Sequence, residues 1–241
     1  MEKDVNIISK PPKEVVVTPG GIMTPISRMS FLKYLGISTA AASLLFTASS
    51  CSDDDDGPGS VNLGSGDTGI LNYAYLLEQL EAAFYVKVTA SFYASIPDAE
   101  KTILQDIRDH ELAHRDFFKK ALGKDAIADA TFDFSSIDFT NRSSVLGAAK
   151  TFEDLGVSAY NGAGKLLVSA DLLLIAGKIV SVEARHASAI RDLLNPYSAD
   201  FAGDDIVTVS NGLDASNPPA TVLTAARTYV KTSVDFSGLP S

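Results

Sequence analysis

The chain has 241 residues, 46% hydrophobic and 21% charged, a composition that suits one globular core with appendages. Its net charge of −10, with no Lys/Arg run longer than a pair, leaves it without the positive surface that neutralises phosphates, so nucleic acid is not an expected partner. The single cysteine, Cys51, excludes an internal disulfide and a four-cysteine iron–sulfur or rubredoxin-type site, so any metal must rely on carboxylates and imidazoles.

Near the N-terminus, Arg28 and Lys33 flank the start of an apolar stretch over residues 31–46, which is followed by Ala48, Ser49, Ser50 and Cys51. That is the architecture of a signal peptide, and the stretch is too short for a permanent membrane span of about 20 apolar residues. Residues 48–51 resemble the bacterial lipobox, which implies a lipid on Cys51 as the first residue of the mature protein. The following Ser-Asp-Asp-Asp-Asp, residues 52–56, is similar to the acidic export signal of Bacteroidetes surface lipoproteins. The expected location is therefore the outer membrane or cell surface, with membrane contact through the lipid alone. Residues 27–33 are also similar to a twin-arginine signal, with Met29 in the place of the second arginine, and Met23 is a candidate start. Residues 1–51 are thus assigned to an N-terminal extension and signal peptide, and 52–66, rich in Gly, Ser and Asp, to a flexible tether.

Four helical segments follow. Residues 67–95 carry apolar side chains at helical spacing, with Asp67 or Thr68 as N-cap and Pro97 closing the segment. Asp98 caps a second helix running to Leu122, where Gly123 gives the stop. Residues 124–142 show no sustained period and form a long connection. A third helix covers 144–160, ended by Asn161-Gly162, and a fourth covers 167–194, ended before Pro196. Short links make two antiparallel hairpins, and the long connection carries the chain along an all-α four-helix bundle spanning 67–195. The extension 196–241 holds one short helix over 220–231 and is expected to pack over a bundle end.

Each helix points a glutamate into its apolar stripe. The stripes read Ala74, Glu78, Glu81, Tyr85, Val88; Leu104, Ile107, Glu111, His114, Phe118; Ala149, Phe152, Glu153, Gly156, Tyr160; and Ala176, Ile179, Glu183, His186, Ile190. Buried carboxylates need positive charge, and no matching set of inward Lys or Arg exists, so two divalent cations are the simplest neutraliser. In Glu111-Leu-Ala-His114 and Glu183-Ala-Arg-His186 the paired side chains stand about 4.5 Å apart along the helix axis on one face, close enough to share a metal. Glu78 and Glu153 lie 75 residues apart, each with a tyrosine seven residues on, and Glu111 and Glu183 lie 72 apart. The two halves therefore repeat. His110, about 100° around the helix from Glu111, is expected to face solvent.

Residues 67–194, and above all 77–85 and 152–157, resemble the ferritin-like domain family of rubrerythrins, ferritins and plant desiccation-related proteins, the last branch most closely. The resemblance implies a dinuclear site held by Glu78, Glu111, His114, Glu153, Glu183 and His186, with Glu81 as either a seventh metal ligand or an acid behind the ligands, and Tyr85 and Tyr160 bonded to opposing glutamates. Oxygen and imidazole donors favour iron, with manganese as the alternative. Three readings follow: a di-iron oxidoreductase, ferroxidase or peroxidase-like, acting on dioxygen, peroxide or Fe(II) with an external electron donor; a di-manganese catalase-like enzyme; and a surface stress or desiccation lipoprotein with a mainly structural metal. A homodimer is compatible with all three.

Overall fold

The computed structural model describes residues 60–241. The signal peptide, Cys51 and the acidic run that follows it lie outside the described residues. Four long helices make the body: α1 (Gly66–Ala90), α2 (Asp98–Leu122), α3 (Arg142–Gly164) and α4 (Ala170–Leu194). A short helix α5 (Pro219–Ala226) and two three-residue strands, β1 (Ser60–Asn62) and β2 (Ser233–Asp235), accompany them, and the fold is the expected all-α four-helix bundle. None of these helices is long and apolar enough to cross a membrane.

Helices α1 and α2 form one hairpin and α3 and α4 the other. Thr89 at the end of α1 meets Arg108 of α2, whereas Asn72 near the start of α1 binds the carbonyl of Asp125, just past the end of α2, so the pair is antiparallel. The crossover then runs the length of the bundle, because Arg142 at the start of α3 forks onto Glu100 at the start of α2 (3.0 and 2.8 Å). Helix α1 is buried on nearly every side, which matches its near-continuous apolar sequence.

Local chemistry explains most boundaries. Gly123 ends α2 with φ +57° and an N–H bond back to Lys119. Asn141 caps α3 by accepting from Ser144 N, and Ser169 caps α4 by accepting from Leu172 N. Helix α1 stops at Ala90 rather than near residue 95, where Ser95 takes φ +58°. Asp67 does not cap its own helix; its carboxylate accepts the amides of Val168 and Ser169 and so ties the start of α1 to the start of α4.

Further sequence expectations need correction, and the helix of the extension ends at Ala226 rather than at residue 231. The tether does not extend through residue 66: β1 pairs in parallel with β2, and Leu63 is fully buried with its amide bonded to Asp235 O. Asn161-Gly162 does not end α3, which continues to Gly164. The C-terminal extension does not simply cover an end, because it lies along α3. Asn217 bonds Ser158, the carbonyl of Ala215 takes Asn161, and Tyr229 packs its ring 4.7 Å from Phe152. Arg191, almost fully buried, clamps Asp154 of α3 and Asp205 of the extension.

Gly162 is required for this approach, since a Cβ there would lie 1.8 Å from Asn217 O. In a free helix Gly→Ala stabilises by up to about 1 kcal/mol. Here Gly162→Ala is expected to do the opposite, costing about 1–3 kcal/mol in thermal or denaturant unfolding. A rise in melting temperature would show that the extension does not seat on α3.

Candidate metal centre

The centre grows from four helices that each place a glutamate on the inward face. Glu78, Glu111, Glu153 and Glu183 are all 0% exposed, and His186 is buried at 4%. Helices α2 and α4 each add a histidine one turn beyond their glutamate, so Glu111 and His114, and Glu183 and His186, aim at the same region.

Two four-atom sets emerge. Around His114 Nδ1 stand Glu183 Oε1 at 2.8 Å, Glu78 Oε2 at 3.4 Å and Glu111 Oε2 at 3.8 Å. Around His186 Nδ1 stand Glu111 Oε1 at 2.9 Å, Glu153 Oε2 at 3.4 Å and Glu183 Oε2 at 3.5 Å. Within each set the ligand atoms lie within 4.8 Å of one another. Glu111 and Glu183 divide their oxygens, one to each set, whereas Glu78 and Glu153 serve one set apiece. The histidine helices thus supply the shared carboxylates and α1 and α3 the unshared ones.

The donor atoms are not satisfied by each other. Glu78 Oε2, both oxygens of Glu111 and of Glu183, Glu153 Oε2 and the Nδ1 atoms of both histidines are buried without a well-directed hydrogen bond. Such orphans are rare in folded proteins, and eight converging at one point fit ligands aimed at cations between them. The donor set, oxygen with imidazole, is that of a first-row divalent metal, so the residues fit a two-metal centre.

Their electrostatics without a cation lead to the same conclusion. Burial, and next the Glu183 carboxylate, push Glu78 well up; burial and then Glu111 do the same to Glu81. Glu153 is pushed up to about 8, chiefly by burial, despite His186 beside it. Burial also works against ionised Glu111, but the His114 and His186 imidazoles beside it outweigh that and hold this group at about 2. For the imidazoles burial acts downward, yet the carboxylates win: His186 is pushed up to about 12, and His114 well above its usual range. Protons are doing here what divalent cations do better.

Tyr85 of α1 donates to Glu153 Oε1 of α3 at 2.5 Å, and Tyr160 of α3 donates to Glu78 Oε1 of α1. Each phenol thereby fixes the outer oxygen of an unshared carboxylate and leaves the inner one for its set. Glu81 lies outside both sets, with Oε1 2.9 Å from where a Cβ of Gly156 would sit. The glycine at the repeat position of α3 is therefore the space that the extra acid occupies.

One participant escaped the sequence reading. His110 is exposed, as expected, but its Nδ1 lies 2.9 Å from His186 Nε2, with the ring planes within 8°. The available signal was its spacing of four residues from His114, which puts both on one side of α2.

Stripped of metal, the folded chain keeps protons that the unfolded chain releases as pH climbs. Raised folded values mean stability present at low pH and lost on the way up: for Glu153 between its ordinary 4.5 and about 8, for His186 from 6.5 towards about 12. Glu111 acts in the opposite sense only from 4.5 down to about 2. The chelated protein should therefore melt at a lower temperature at about pH 9 than at about pH 6 in a buffered thermal scan, whereas metal affinity should rise over the same interval. A metal-free melting temperature that climbs with pH would contradict this.

A comparison with curated proteins gave no match. The family model described as the ferritin-like domain matches residues 66–196, which takes in all four long helices and every residue of both ligand sets. The chain belongs to the ferritin-like domain family.

Proposed function

We propose that this protein holds two iron ions in the paired sets and works as an exported di-iron oxidoreductase that acts on dioxygen or peroxide, or oxidises Fe(II). The observation that carries the reading is the division of Glu111 and Glu183 between the two sets, because a carboxylate shared by two cations couples them into one unit. Bound as a ferrous pair, the ions would supply two electrons, which together with two protons reduce hydrogen peroxide to two waters.

The chain's own contribution is placement. Glu78 and His114 would hold one ion and Glu153 and His186 the other, while Glu111 and Glu183 set their separation. Tyr160 and Tyr85 keep Glu78 and Glu153 turned inward by donating hydrogen bonds to the outer oxygens. Burial of all four glutamates keeps bulk water from competing for the ions. Iron is favoured over zinc by the number of oxygen donors, since zinc takes fewer ligands in a tetrahedral set. An external reductant completes the cycle, because the sole cysteine leaves no place for an iron–sulfur or rubredoxin relay. Lipidation at Cys51 would anchor the protein at the outer membrane or cell surface.

Metal analysis of the purified protein is expected to give two irons per chain. Glu111→Ala, which removes a donor from both sets, should drop this below one and abolish peroxide consumption in a stopped-flow assay. Two manganese ions with dioxygen evolution, or tightly held metal with no turnover, would overturn the redox di-iron reading. A second expectation concerns the tyrosines: Tyr160→Phe should retain the fold but weaken metal retention about 10-fold in chelator competition, and an unchanged release rate would remove Tyr160 from the centre.

A further inference from the structure

We infer that the two halves of the centre are inequivalent: the Glu153–His186 half is anchored, and the Glu78–His114 half is the side from which a small apolar oxidant, dioxygen, approaches. This rests on the two-metal redox reading above and adds to it a substrate and a direction.

The internal repeat gives each residue a counterpart, so differences between the halves can be read position by position. A cavity of about 30 Å³ lies between α1, the end of α2, α3 and the start of α4. Leu77, Phe118, Ala159 and Tyr160 form its inner wall, and the half-buried Leu172 and Ile175 stand towards the surface. Tyr160 is the residue whose hydroxyl holds Glu78, so the cavity backs directly onto that half of the centre.

In the other half the space is filled. The counterparts of Leu77 and Ala159, 75 residues away, are Phe152 and Phe84. The Phe84 ring packs 5.0 Å from Phe152 and 5.0 Å from Tyr85, with Phe134 at 5.9 Å. The Tyr85–Glu153 pair therefore backs onto aromatic rings packed edge to face, and the Tyr160–Glu78 pair onto a void.

The lining selects the visitor. Its one buried polar atom apart from Tyr160, the hydroxyl of Tyr73, has no hydrogen-bond partner among the described residues. A water needs two to four polar partners to be held, as does a peroxide of similar polarity, and this lining offers few. Dioxygen is apolar and needs none.

A second, independent difference anchors the opposite half. With Nδ1 turned to the carboxylates, His186 places its Nε2 2.9 Å from His110 Nδ1. That contact fixes the ring orientation before any metal arrives. The counterpart of His110, 72 residues on, is Val182, so no such histidine stands behind His114. His110 is a positioning residue.

The test uses the full chain. Under xenon pressure, NMR of the metal-free protein should show shifts at the Leu77 and Ala159 methyls, and these should vanish in Ala159→Phe, which installs the Phe84 counterpart. Loaded with two ferrous ions, Ala159→Phe should react severalfold more slowly with dioxygen yet at the wild-type rate with peroxide. Ala163→Val, which copies Val88 of the other half, is the milder block if the phenylalanine disturbs folding. Metal titration of the wild type should resolve two steps, and His110→Ala should weaken the tighter one about 10-fold. Absent xenon shifts, or an unchanged dioxygen rate in both blocked variants, would overturn the approach route. Two equal steps in wild type and His110→Ala alike would overturn the inequivalence. Failure of the wild type to bind metal at all would instead sink the underlying two-metal reading.

Discussion

Everything in this fold is arranged around four carboxylates that no side-chain cation of sufficient charge can neutralise. Glu78, Glu111, Glu153 and Glu183 come from four different helices and are fully buried. Taking an ion of this kind out of water costs on the order of several kcal/mol even after relaxation. Two imidazoles cannot balance four such groups at neutral pH without large proton uptake, and the displaced titration of Glu78, Glu153 and His186 is the sign of that mismatch. Cations between the sets relieve it. In the proposed reading the metals are therefore structural and chemical at once.

The same constraint links the hairpins. Contacts across the bundle between α1 and α3 include the two tyrosine–glutamate bonds, which run in opposite directions and tie each hairpin to the other's ligand. Glu111 and Glu183 do the equivalent for α2 and α4 by facing both sets. The C-terminal extension then fastens the outside, through Arg191 to Asp205 and through β2 to β1. Repetition supplies the symmetry of the centre. Departures from it, Glu81 opposite Gly156, Leu77 opposite Phe152 and His110 opposite Val182, give the two sides different surroundings.

The buried carboxylate–histidine cluster was legible in the sequence because a charged residue on an apolar helical stripe conflicts with its surroundings unless something compensates. Helix α2 was legible to within a residue: Gly123 stops it as read, whereas Asp98, read as its cap, is its first residue and Pro97 stands at the cap. The errors arose where a distant partner decides. Gly162 reads as a stop, but its role is to let the Asn217 backbone approach α3. Residues 60–63 read as a tether because Gly, Ser and Asp surround them, yet hydrogen bonds from residues 233–235 order them. His110 lies off the stripe of its own helix, and only the position of α4 brings His186 to it.

The most direct test of the central claim is anomalous diffraction at the iron edge from crystals of the iron-loaded protein. The account requires two peaks inside the bundle, about 3.5–4 Å apart, one beside His114 and one beside His186, with density from Glu111 and Glu183 reaching both. A single peak, or metal found only at surface carboxylates with the buried glutamates unliganded, would contradict it.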